Sequence, residues 1–211
     1  MIFTRLSRTM KVTDIINAIF SKVNSIFHII ICWYCTQIER LYLHSIGVEL
    51  SSNVVFRGWT SFYRANHSII KIGKGVRFNS NQYYNHIGLN HKCVFCTHRT
   101  NAKITVGNNC GISSSTINCW DSITIGNNVL IGANCVIMDA DFHLDDSRSG
   151  KPQPIKIGNN VWLGANVVVM KGVNIGNNCV IGMNSVVTSE IPSNSVAVGS
   201  PAKVIRMLSS Y

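Results

Sequence analysis

An aliphatic residue followed by glycine recurs every six positions through the second half of this chain. The phrases are IGNNVL and IGANCV from Ile125, then IGNNVW, LGANVV, VMKGVN, IGNNCV, IGMNSV and VTSEIP from Ile157. Repetition at six residues is the signature of a parallel β-helix, in which each hexapeptide is one short flat strand and a corner. The first and fifth positions point inward, the fifth being Val129, Cys135, Val161, Val167, Val173, Cys179 and Ser185, while Gly and Asn supply the corner conformations. Ile157 to Ile175 is 18 residues, one three-sided coil, and Val106 to Ile125 is 19. Earlier fragments, LSSNVV from Leu50 and IGKGVR from Ile72, follow the same pattern. The 34 residues from Ile72 to Val106 are either one coil carrying about 16 surplus residues or two coils lacking two. The expected architecture is all-β, with an N-terminal helical segment at 1–48, a β-helix at 49–191 and a C-terminal tail at 192–211.

Composition agrees with a body of strands and turns. Only 13% of the 211 residues are charged, and 16 are glycine. The formal net charge of +10 favours anionic partners, such as a phosphorylated cofactor or a membrane surface. The basic residues are scattered and carry no nucleic-acid-binding signature, so nucleic acid is not expected as a partner. Among eight cysteines, Cys110, Cys135 and Cys179 fall on repeat positions that want a small apolar side chain, and are expected reduced and buried. The pairs Cys32/Cys35 and Cys93/Cys96 have C-x-x-C spacing, and His91 and His98 flank the second. Their spacing matches no common zinc site, so loop packing is preferred and no metal is expected.

No coil of a β-helix is stable alone, so its ends need covers. Ile15, Ile19, Val23, Phe27, Ile30 and Tyr34 recur at three and four and define one face of a helix within 13–45, with Thr13 as its N-cap. That face is expected to pack on the β-helix. The densest apolar run, IFHIIICWYC, is ten residues and short for a bilayer span, although a basic apolar helix can rest on a membrane surface as a peripheral contact. No small-residue cleavage site follows it, and a cytoplasmic location, peripheral at the inner membrane if the helix binds lipid, is expected.

The repeat breaks once. Ile125 to Ile157 is 32 residues, a coil plus 14, so a loop must leave the coil at about 140–153. It contains DADFHLDDSRSGKPQP, and long loops on rigid scaffolds are where function concentrates. His143 stands at the root of the loop.

The run from Ile125 to Arg206, with its repeats, loop, histidine and closing GSPAKVIR in that order, resembles the hexapeptide-repeat acyltransferases. Within them it is most similar to the branch of galactoside and maltose acetyltransferases and of surface-polysaccharide O-acetyltransferases. The resemblance is strong over the last two fifths of the chain and weak over 50–124. It implies a left-handed β-helix, a homotrimer, and acetyl-CoA held between adjacent subunits. It also implies acetyl transfer to a saccharide hydroxyl in capsule, O-antigen or exopolysaccharide biosynthesis. An imidazole with a pKa near neutrality can take the proton of an attacking hydroxyl, which makes His143 the candidate general base. Asp141 or Asp139 would fix its tautomer or hold the sugar. Matching positions carry the cofactor contacts over to Trp162 and Ala165, to Met183, Thr188 and Ser189, and to the basic pair Lys203 and Arg206 at the nucleotide phosphates. Met183 and Ser189 depart from the family pattern, Ser189 standing where a lysine is common. Acceptor recognition is expected from 56–120, where GWTSFYRANHS, NQYYNHIGLNH and GISSST supply aromatics and amides. The alternatives are N-acetylation of a nucleotide-linked amino sugar, antibiotic acetylation, and a non-enzymatic scaffold of the same repeat.

Overall fold

The computed structural model describes residues 12–143 and 145–209. One helix, α1 (Val12–Ser45), precedes a stack of three-sided coils. The first coil is β1 (Glu49–Leu50), β2 (Val55–Arg57) and β3 (Ser61–Arg64), and the second is β4 (Ile69–Ile72), β5 (Arg77–Asn79) and β6 (Val94–Thr97). The third is β7 (Lys103–Val106), β8 (Gly111–Ser113) and β9 (Thr116–Cys119), and the fourth β10 (Ser122–Ile125), β11 (Leu130–Ile131) and β12 (Val136–Met138). The fifth is β13 (Ile155–Ile157), β14 (Trp162–Leu163) and β15 (Val168–Val169), and the sixth β16 (Asn174–Ile175), β17 (Val180–Ile181) and β18 (Val186–Val187). A last partial coil ends in β19 (Ser195–Gly199), and β20 (Ala202–Met207) turns back antiparallel to it.

Successive first strands form sheet A, second strands sheet B and third strands sheet C, of six, eight and six strands. All pairings are parallel except β19 with β20. Parallel stacking continues past Ile191, the expected end of the β-helix, as far as Ala197. Ile72 pairs with Val106, so 72–106 is one coil with an insertion between β5 and β6, and not two short coils.

The inward positions are those the repeat names. Ile125, Ile131, Ile157, Leu163, Ile175 and Ile181 are buried, as are all seven fifth-position residues. Each aliphatic side chain so placed contributes roughly 1.5–3 kcal/mol of burial, enough for stacked coils to hold without internal helices. The wider upper end is filled by Phe56, Phe62, Phe78 and Phe95, stacked or edge-on at centroid distances of 4.9–5.9 Å. Asparagine corners take left-handed backbone angles, φ 56° to 60° at Asn128, Asn134, Asn160, Asn166, Asn178 and Asn184. Their side chains bond coil to coil, as in Asn128 to Asn160 at 3.1 Å and Asn160 to Asn178 at 3.0 Å. A Cβ on Gly126 would lie 2.6 Å from the Gly158 carbonyl oxygen, which explains glycine at the second position.

The helix departs from expectation in three respects. Val12 is already helical, so Thr13 is not its N-cap. The face docked on the first coil is a different one: Cys35, Thr36 and Glu39 are buried there, with Leu43 joining the hydrophobic core below them. The Thr36 hydroxyl accepts from the Phe56 N–H at 3.0 Å, and a Glu39 carboxylate oxygen accepts from the Thr60 N–H. Ser25 and His28 meet the insertion of the second coil, where the Tyr84 hydroxyl donates to the His28 carbonyl at 2.6 Å and His28 stacks on Tyr83 at 3.4 Å. Ile15, Ile19, Val23, Phe27, Ile30 and Tyr34, the face expected to pack, are all exposed. The buried Phe56 and Thr60 N–H groups need acceptors, which Thr36 and Glu39 supply and an isoleucine face could not. By length and composition alone, α1 is long and apolar enough to cross a membrane, so ten residues understates its apolar extent.

Candidate active site

The excursion leaves the β-helix after β12 and rejoins at β13, on the edge between sheets C and A. Its neck is closed by the Gln153 N–H donating to the Asp139 carbonyl at 2.8 Å. The Asp139 side chain is fully buried and accepts from the Trp120 N–H at 2.7 Å, the Asp121 N–H at 2.8 Å and the Cys119 thiol at 3.3 Å. It therefore ties the third coil to the fourth, and its lone pairs are engaged by backbone, not by a sugar. Burial and the Asp139 charge together push the Cys119 thiol pKa far up, which keeps that thiol protonated as a donor.

Asp141 accepts from Lys171 Nζ at 2.5 Å and from the Gly150 N–H at 3.1 Å. The lysine bond, the largest cause, holds its carboxyl below the ordinary carboxylate range. Asp141 thus pins both ends of the loop to the fifth coil. Phe142 lies edge-on to Trp120 at 5.0 Å, and Trp120 stacks on His98 at 3.8 Å. The His143 ring is left exposed, while its carbonyl accepts from the Asp146 N–H at 3.1 Å and from the Ser149 hydroxyl. Among the described residues no partner engages the imidazole, and the His143 carbonyl is held by these two bonds. The far end of the loop, Ser149 to Pro152, borders a cleft of about 570 Å³ also lined by Arg99, Trp120 and Asp121.

The cofactor candidates fall into three places. Trp162, Val180, Val196 and Arg206 share one row on the outer face of sheet B. Lys203 pairs with Val198, two residues along the same face. Three positions apart on a regular strand, Lys203 and Arg206 would face opposite ways, but a register shift at Val196/Ala197 returns both to the outer side. The row from Trp162 to Arg206 spans three strand spacings, about 14 Å. Ala165 and Met183 stack on the edge between sheets B and C, where the Asn184 N–H donates to the Ala165 carbonyl at 3.0 Å. Thr188 and Ser189 follow β18 on the C–A edge, the edge of the loop, and both are exposed.

The sequence pattern described as the hexapeptide repeat of succinyl-transferase matches residues 122–138 and 154–189, on both sides of the loop. The chain carries that hexapeptide repeat over these two stretches. A Schizosaccharomyces pombe protein named as an acetyltransferase is 48% identical over 90 residues, 41% of this chain and 44% of that one. The match thus spans less than half the length of that relative. Among solved structures, AntD, an N-acyltransferase from Bacillus cereus in complex with dTDP and 3-hydroxybutyryl-CoA, superposes with TM-score 0.63 at 18% identity, covering 81% of this chain and 88% of that one. A hexapeptide-repeat-containing acetyltransferase from Vibrio cholerae superposes with TM-score 0.54 at 24% identity, covering 82% and 81%. These likenesses show the fold, the left-handed parallel β-helix of the hexapeptide-repeat acetyltransferases.

In this hexapeptide-repeat chain two groups escaped the sequence reading. Lys171 sits in VMKGVN, a repeat lacking the usual asparagine, and only coil stacking brings it to Asp141. Arg57 and Arg77 look like scattered surface charge until register puts them on sheet B above Trp162. The tyrosines of NQYYNHIGLNH, expected to recognise an acceptor, are engaged with α1. Cys93 is inside the coil and Cys96 partly exposed, since an odd spacing within one extended segment alternates faces. Among the described residues no group of three or more His, Cys, Asp or Glu could hold a metal ion.

Proposed function

We propose that the chain is an acetyl-CoA-dependent O-acetyltransferase acting on a saccharide hydroxyl, with His143 as general base. The observation that carries this reading is the stapled loop, which holds an exposed imidazole at a fixed root on a rigid coil. Acetyl-CoA supplies the acetyl thioester. Trp162, Val180 and Val196 offer an apolar track of the width and length of a pantetheine arm, and Lys203 and Arg206 end it with the paired cations a polyphosphate needs. His143 takes the hydroxyl proton as the oxygen attacks and returns it to the departing thiolate. Asp141, through Lys171, positions the loop.

The reading includes a homotrimer, which the same geometry supports. In a three-sided prism the C–A edge bearing His143 lies opposite sheet B bearing Trp162, so one chain cannot close a site from both. A neighbour's sheet B set against this chain's loop completes it. The reading extends to place: a cytoplasmic enzyme of surface-polysaccharide assembly, peripheral at the inner membrane. Its support is the outward apolar arc of α1, in which Ile19, Phe20, Val23, Phe27 and Ile30 are exposed while the opposite face is docked.

His143→Ala tests the reading. The ring is exposed, so folding, assembly and acetyl-CoA affinity should persist while transfer falls roughly 10²–10⁴-fold. Transfer at the original rate would remove His143 from the mechanism.

A further inference from the structure

The outer row of sheet B does not stop at Trp162. Upward it runs through Leu130, Gly111 and Arg77 to Val55, and Arg57 lies two residues along from Val55 on the same face. Arg57, Arg77, Gly111 and Leu130 of this row, with Trp162, bound a groove of about 410 Å³. Gly111 and Gly132 leave its floor without side chains, so a ligand can approach the backbone.

Three features of its upper end are unusual together. Arg57 and Arg77 are diagonal neighbours, at about 7–8 Å in a sheet, and no carboxylate lines the groove. Neither guanidinium makes an ion pair or hydrogen bond among the described residues; that of Arg57 lies over the Tyr84 ring at 4.9 Å. Between them Asn79 donates to the Ser113 hydroxyl at 3.1 Å, but its own Oδ1 is buried with no partner. Two unpaired forks of donors beside one unsatisfied acceptor call for a ligand that carries an anion and a hydroxyl on the same small body. Phosphate suits the forked guanidinium, and a sugar hydroxyl can donate to Asn79.

We infer that Arg57, Arg77 and Asn79 form an acceptor subsite for the phosphate and adjoining hydroxyl of a phosphate-linked saccharide. This deepens the saccharide reading above and rests on it. The subsite lies three to four strand spacings, roughly 14–19 Å, from Trp162 along the sheet, so the phosphate is held away from the transferred acetyl group. On its other side Tyr84 connects Arg57 to α1 through the His28 carbonyl, so the phosphate would sit next to the apolar helix. A carrier attached through that phosphate is either a nucleotide or a lipid, and both present the same diphosphate.

The test separates the subsite from the transfer reaction. Wild-type protein saturated with coenzyme A is titrated with inorganic pyrophosphate by calorimetry, beside the variant R57A/R77A. Both substitutions are on outward strand positions, and an unchanged circular dichroism spectrum and coenzyme A affinity would confirm that the variant is folded. Binding to wild type and at least tenfold weaker binding to the variant are expected. Equal binding to both, or none to wild type, would overturn the subsite whatever the activity. Acetyl transfer is then compared for N-acetylglucosamine free, linked to UDP, and linked to farnesyl diphosphate. A KM at least tenfold lower for one linked form, abolished in R57A/R77A with kcat retained, identifies the carrier. Equal KM for all three rejects the subsite and leaves acetyl transfer standing.

Discussion

The Asp141 carboxylate is bonded to Lys171 Nζ at 2.5 Å, across 30 residues and from the loop to the fifth coil. That bond fixes the loop beside His143 and adds little to the stability of the fold, because ion pairs open to water are screened.

Lys171→Ala should therefore leave the melting temperature nearly unchanged and lower kcat about tenfold, with acetyl-CoA affinity intact. Steady-state kinetics and a thermal melt check it. Exchanging the pair, Asp141→Lys with Lys171→Asp, should restore most of the rate; failure to do so would give Asp141 a role of its own at the substrate. Because the folded pKa of Asp141 is depressed, the pair is fully present at neutral pH and is lost only as pH falls through that lowered value.

Glu39 gives a second pH dependence of opposite sign. Burial, the largest cause, raises its pKa to about 7, opposed in part by the Thr60 N–H and by Lys92. A carboxyl whose folded pKa is raised above its unfolded value favours folding while protonated. Docking of α1 should thus weaken as pH rises from about 4.5, the ordinary value, to about 7, and change little above that. Glu39→Gln keeps an acceptor for Thr60 and removes the titration, so the variant should be the more stable at pH 8 and lose the slope. Melting temperatures of both proteins across pH 5–8 decide it.

The apolar arc of α1 predicts binding to lipid. Replacing Ile19, Phe20, Val23 and Phe27 with serine changes exposed residues only, so the β-helix should keep its melting temperature. Each loses roughly 1.5–3 kcal/mol of apolar transfer, and sedimentation with phosphatidylglycerol vesicles should fall by more than tenfold. Equal sedimentation would assign the arc to another cover.

The alternation of inward and outward residues was readable because the six-residue period ties each side chain to one place on a coil. Ile175, Val173 and Cys179 are buried for that reason. The helix was misread on the same kind of evidence: periodicity locates an apolar stripe but says nothing of what the stripe faces. Backbone groups at Phe56 and Thr60 decided that the polar side docks.

By itself the sequence determined the β-helix, the loop and the position of His143 at its root, since these depend on local spacing along the chain. Only the tertiary structure decided that Asp139 is a buried tie, that Lys171 staples Asp141, that a strand bulge turns Lys203 to the side of Arg206, and that Arg57 and Arg77 stand above Trp162. Apart from the bulge, which belongs to the closing hairpin, each depends on which residues coil stacking sets side by side, 18 to 34 positions apart in the chain. Insertions between repeats reset that spacing, so register, and with it the chemistry of the surface, exists only once the coils are stacked.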